Sequence, residues 1–109
     1  MRVRFERSGG IAGIMLAHDF DSAQLPPEQT SELTRLVAEA QFFDLPGEIR
    51  ATRGADLFQY SITVEDGTQK HRVDFDQGSA PEHLKPLIQW LTREQRNLMA
   101  AQKRTDQSA

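Results

Sequence analysis

The sequence predicts an α+β fold: an antiparallel four-stranded sheet made of two β-hairpins, with two helices packed on one face. Three observations carry this expectation. Four segments place apolar residues at every second position, two others place them at helical spacing, and glycine-bearing turns separate the strand segments into pairs. The order is ββαββα, which closes most simply as a two-layer sandwich.

Met1 to Arg7 alternates, with Val3 and Phe5 on one face and Arg2, Arg4 and Glu6 on the other. Ile14, Leu16, His18 and Phe20 repeat the two-residue period, so residues 8–13 are expected as a hairpin loop. Leu25-Pro26-Pro27-Glu28 opens a helix, because proline in the first turn lacks only an N–H that the helix leaves unused. Leu33, Leu36, Val37 and Ala40 line its apolar face, and Phe42-Phe43 follow as a core plug.

Residues 48–56 read as a polar connection. Phe58, Tyr60, Ile62 and Val64 form the clearest strand, and Asp66-Gly67 is a strong two-residue hairpin signal. The returning strand turns Val73 and Phe75 inward and Arg72, Asp74 and Asp76 outward. Ser79-Ala80-Pro81-Glu82 has the pattern of a capping box. The helix after it carries Leu84, Leu87, Ile88 and Leu91, with a kink or break expected at 82–86 from Pro86. Trp90 falls off this stripe and is expected at the core edge. One domain spans residues 1–99, and residues 100–109 are expected as a polar, frayed tail.

Composition narrows the function. Leu, Ile, Val and Phe make up 25 of 109 residues, enough for a small core. A net charge of −3, with the basic residues scattered, argues against nucleic acid as a partner. No cysteine is present, which excludes disulfides and thiolate chemistry. The N-terminal stretch lacks the apolar run of a signal peptide and no segment reaches membrane-spanning length, so a cytoplasmic protein without a membrane partner is expected.

Few residues could carry chemistry. Three histidines on separate elements, with no H-E-x-x-H, do not make a metal site, and no cofactor is expected. Ser8, His18 and Asp19 could approach one another, yet no nucleophile elbow surrounds the serine, so the chain is not read as an enzyme. Gly9, Gly10 and Gly13 loosely fit a phosphate loop, but a strand follows where a helix N-terminus is needed. A plain turn explains the glycines, although not the lone Ile11 among them; an exposed binding finger explains both. Arg53-Gly54-Ala55-Asp56 offers a second small, charged loop.

Four stretches together resemble a known family. R-F-E-R-S-G-G-I-A-G at residues 4–13, F-F-D-L-P at 42–46, G-A-D-L-F-Q-Y-S-I-T-V-E-D-G at 54–67 and P-L-I-Q-W-L at 86–91 are similar to emfourin. Emfourins are small bacterial inhibitors of thermolysin-like zinc metallopeptidases, encoded beside protealysin-type enzymes. The resemblance covers residues 2 to 93 and implies competitive inhibition of such a peptidase.

Those enzymes cut before large hydrophobic residues, so the expectation is that Ile11 enters the apolar pocket beside the zinc. Gly9, Gly10, Ala12 and Gly13, with Ser8 at their head, would let the backbone descend without side-chain clashes. Arg53, Gly54, Ala55 and Asp56 are the expected second contact. The alternative is a non-inhibitory module that docks on another cytoplasmic protein with the same surface.

Overall fold

The computed structural model describes residues 1–9, 14–49, 58–76 and 78–107, with residues 14, 15 and 102–107 by backbone alone. Among these residues the elements are β1 (Arg2–Gly9), β2 (Ile14–Asp21), α1 (Pro27–Glu39), β3 (Glu48–Ile49), β4 (Phe58–Asp66), β5 (Gln69–Asp76) and α2 (Lys85–Gln107). Short 3-10 turns fall at Ser22–Gln24, Phe42–Asp44 and Glu82–Leu84.

The fold is α+β with two helices, as expected, but the sheet has five strands and is mixed. Its order is β2-β1-β4-β5-β3, and β3 pairs parallel with β5 through Glu48–Asp74 and Ile49–Phe75. The chain order is therefore ββαβββα rather than ββαββα. A two-residue strand with one apolar side chain leaves no alternation to read. It is held from both sides: the Asp74 N–H donates to the Gly47 carbonyl at 2.9 Å, and the Ser79 hydroxyl donates to the Ile49 carbonyl at 2.8 Å.

Every buried apolar strand residue lies on one face. Val3, Phe5, Phe20, Ile62, Val64, Val73 and Phe75 join Leu33, Leu36, Val37, Phe42, Leu87 and Leu91 in a single cluster beneath both helices. Fully burying each such side chain contributes about 1.5–3 kcal/mol. α1 starts at Pro27, directly after Pro26, and ends where Gln41 takes a left-handed φ of 50°. That reversal drops Phe42 into the core at 1% exposure.

Several local expectations are corrected. The tight turn is Gly67–Thr68, between Asp66 and its partner Gln69, with Gly67 at φ 62°. No capping box forms at Ser79, because its hydroxyl is spent on β3 and accepts from the Asp76 N–H at 3.2 Å. Pro86 does not kink a helix. The expected break within 82–86 is the 3-10 turn at Glu82–Leu84, and Pro86 sits in the first turn of α2. Trp90 is in the core rather than at its edge, packed edge-on against Phe20 at 5.7 Å. Asp76 does not face solvent; it is buried. The helix α2 extends as far as Gln107.

Candidate functional site

One end of the sheet gathers the flanks of both candidate loops. Gly9, the last residue of β1, pairs with Ile14 on β2 and with Phe58 on β4. Phe58 is the first described residue after segment 50–57, and Gly9 the last before segment 10–13. Ile49, which leads into 50–57, lies beside Phe75 at the same end.

Ser8 and Gly9, expected in the loop, belong to β1 instead and are half-buried and paired with Met15 and Ile14. The strand runs on because Gly9 accepts a φ of 101°, which a side chain would strain. Gly10, Ile11, Ala12, Gly13, Arg53, Gly54, Ala55 and Asp56 lie outside the described residues.

The stems at this end are stiffened by aromatic packing. Phe5, Tyr60 and Phe75 stack across three neighbouring strands, with ring centroids 5.9 and 5.3 Å apart. The Arg7 guanidinium sits 4.9 Å from the centre of the Phe58 ring. Register makes this contact diagonal, since Arg7 pairs directly with Tyr60. Beside the stack, Tyr60, Phe75, Ala80, Lys85, Ile88 and Gln89 line a shallow cavity of about 220 Å³. The buried Asp76 carboxylate closes the end of β5, and its Oδ1 has no hydrogen-bond partner among the described residues.

Arg7, Phe58 and Tyr60 were not among the expected contacts. A signal for Arg7 exists in the sequence: it occupies an odd position in β1, whose earlier odd positions, Val3 and Phe5, are buried core. A cation on the apolar face at the strand's end needs a partner, and Phe58 supplies it.

The geometry does not assemble a hydrolytic triad. His18 pairs with Phe5 and faces the helices, whereas Ser8 and Asp19 project from the opposite face. Asp19 is bound by Arg4, whose guanidinium donates to both its oxygens at 3.1 and 3.0 Å. That contact also raises the Arg4 pKa, through the Asp19 hydrogen bond first. His18 Nδ1 instead contacts the amide of the buried Gln95 at 2.8 Å, and His71 Nε2 contacts the Leu45 carbonyl at 2.6 Å. Both histidines tie elements together. Among the described residues, no three His, Asp or Glu side chains converge as metal ligands.

The outer face of the sheet is polar, and several of its charges pair with one another. Arg72 donates to Asp74 at 2.9 Å and lies 3.7 Å from Glu6; Arg4 lies 3.3 Å from Glu6. A depression of about 370 Å³ on this face is lined by the Arg2–Asp21 and Arg4–Asp19 pairs together with Thr63, Glu65 and Lys70. No described helix is long and apolar enough to cross a membrane.

Fold and site together define a small α+β module whose distinguishing surface is a pair of adjoining loop stems. The chain matches the Emfourin family over residues 5–92 and belongs to that family. Membership suggests a metallopeptidase inhibitor rather than an enzyme, with a peptidase as its partner. No curated protein and no solved structure matches the chain.

Proposed function

We propose that this protein is a competitive inhibitor of thermolysin-like zinc metallopeptidases, acting in the cytoplasm on a protealysin-type enzyme. Segments 10–13 and 53–56 would enter the substrate cleft, with Ile11 in the apolar pocket next to the zinc. The observation that supports this most is the shared partnership of Gly9 with Ile14 and Phe58, which sets the stems of both segments side by side.

Burying one Ile contributes about 1.5–3 kcal/mol, one to two decades of affinity, so a single finger is not enough for tight inhibition. Two segments on stiff stems widen the contact and lower the ordering cost. The mechanism needs no ligand to the enzyme's zinc; occlusion suffices.

The test is cleavage of a small peptide by a thermolysin-like peptidase at increasing inhibitor and substrate concentrations. Competitive inhibition weakens as substrate rises, and added zinc does not restore activity. Undisturbed cleavage would remove the inhibitor reading and leave a docking module. Recovery on adding zinc would show chelation instead.

A further inference from the structure

The eight-residue strand β2 is an edge of the sheet, and of the side-chain devices that usually blunt one it carries only the charges of Asp19 and Asp21. Its sequence, I-M-L-A-H-D-F-D, has no proline or lysine, and its pairing with β1 runs without a bulge. The Ser22 N–H donates to the Met1 carbonyl at 2.9 Å, which fixes the alternation of the ladder. Phe20, His18 and Leu16 therefore direct their backbone groups at β1. Asp19, Ala17 and Met15 direct theirs at the open edge.

A second feature lies over that edge. Ile88 of α2 borders the cavity above Tyr60 on β4, and Gln95 contacts His18 on β2. Seven helical residues advance about 10 Å, the width of the two strand spacings between β4 and β2, so α2 runs across the strands. It continues from Gln95 to Gln107, about 18 Å further, beyond the last strand. Leu98 and Met99 are the exposed large hydrophobics among the described residues, at 45% and 44%. Spaced i+3 and i+4 from Gln95, they prolong the face that packs on the sheet, with no strand beneath them.

We propose that β2 pairs antiparallel with β2 of a second copy of this chain, centred on Ala17, to form one continuous sheet in which each α2 reaches over its neighbour. Paired residues share a face in an antiparallel ladder, so both helical layers stay on the same side. Ala17 meets its own counterpart through the outward backbone groups, and Met15 meets Asp19 of the partner subunit. His18 then stands opposite Leu16 of the partner subunit.

This register matches the overhang. The helix leaves β2 at His18, so Leu98 and Met99 come down beside Leu16 of the partner subunit, which is half-buried in the single chain. Centring on Asp19 would instead set two carboxylates face to face, and centring on His18 would bring both copies of Gln95 to one spot. The two-fold axis sends the Gly9 ends in opposite directions, leaving both free to engage a peptidase.

Sedimentation equilibrium of the free chain over a dilution series tests this without any peptidase, so it stands apart from the inhibition assay. The expected mass approaches twice 12.3 kDa at high concentration and falls to 12.3 kDa on dilution. Ala17→Pro removes an N–H that the β1 ladder does not use, and Leu98→Glu charges the overhang; both are expected to stay monomeric. Circular dichroism melts verify folding, and should Ala17→Pro unfold, Leu98→Glu decides alone. A wild-type chain that is monomeric throughout, or a folded Leu98→Glu variant that dimerises as well as wild type, overturns the proposal.

Discussion

The Arg7 guanidinium covers the Phe58 ring at 4.9 Å, and these two residues stand on the stems of the two candidate loops. The contact crosses from β1 to β4 and ties the stems together where the helical layer gives way to the loops. Both residues are half-buried, and a cation–π contact near the surface contributes about 0.5–1 kcal/mol. If it holds the loops in a binding-ready arrangement, Arg7→Met is expected to weaken inhibition about two- to fivefold. Arg7→Lys, which keeps the cation, should retain part of the effect. Inhibition constants alongside thermal melts make the comparison; a melt that falls in step with inhibition would assign Arg7 to stability alone.

Ile11→Asp puts a carboxylate where the proposed contact requires burial in an apolar pocket. Inhibition is expected to fall at least about tenfold, with the melting temperature nearly unchanged. The measurement is the peptide-cleavage assay with matched protein concentrations. Inhibition equal to wild type would remove Ile11 from the contact and turn attention to the cavity beside Tyr60 and Phe75.

How far the fold could be read from sequence depended on the length of each signal. Strict alternation at Phe58, Tyr60, Ile62 and Val64 marked β4, and the spacing of Leu33, Leu36 and Val37 marked α1, because each has several turns or pleats of repetition. Glu48–Ile49 could not be read that way, being a strand only through tertiary hydrogen bonds to Asp74 and Ser79. Asp76 fitted the outward register by position but is buried, since the end of β5 is also the point where the chain turns back through Ser79. Trp90 lay off the simple stripe because a helix crossing a sheet buries a broader face than two positions per turn. For the candidate site, the glycines pointed to the Gly9 end of the sheet, whereas the Arg7–Phe58 contact needed the β1–β4 register, a pairing between strands about 50 residues apart that local spacing cannot convey.

Trp90 also yields a stability prediction. Its indole Nε1 is buried without a hydrogen-bond partner among the described residues, a cost of about 1–3 kcal/mol in a desolvated site. Trp90→Phe removes that orphaned donor while keeping a ring to meet Phe20 edge-on. The lost packing and the relieved donor offset each other, so the change in unfolding free energy should lie within about 1 kcal/mol. Trp90→Ala, which leaves a cavity, should cost about 3–5 kcal/mol. Denaturant melts separate the two; a Phe variant as damaged as the Ala variant would mean that the indole fit, rather than its polar edge, governs this position.

The second segment can be tested independently of the first. It leaves β3 at Ile49, whose carbonyl is fixed by the Ser79 hydroxyl, and returns at Phe58 beside Gly9. Bulky side chains at Gly54 and Ala55 would add volume to the segment proposed to enter the cleft. Gly54→Leu with Ala55→Leu is expected to weaken inhibition about tenfold with little change in the melt. Lys70→Ala serves as the control, because Lys70 pairs with Glu65 at the opposite end of the sheet and should leave inhibition untouched. Were Lys70→Ala to weaken inhibition while the Gly54–Ala55 variant did not, the contact surface would have to be moved to the Gly67 end of the molecule.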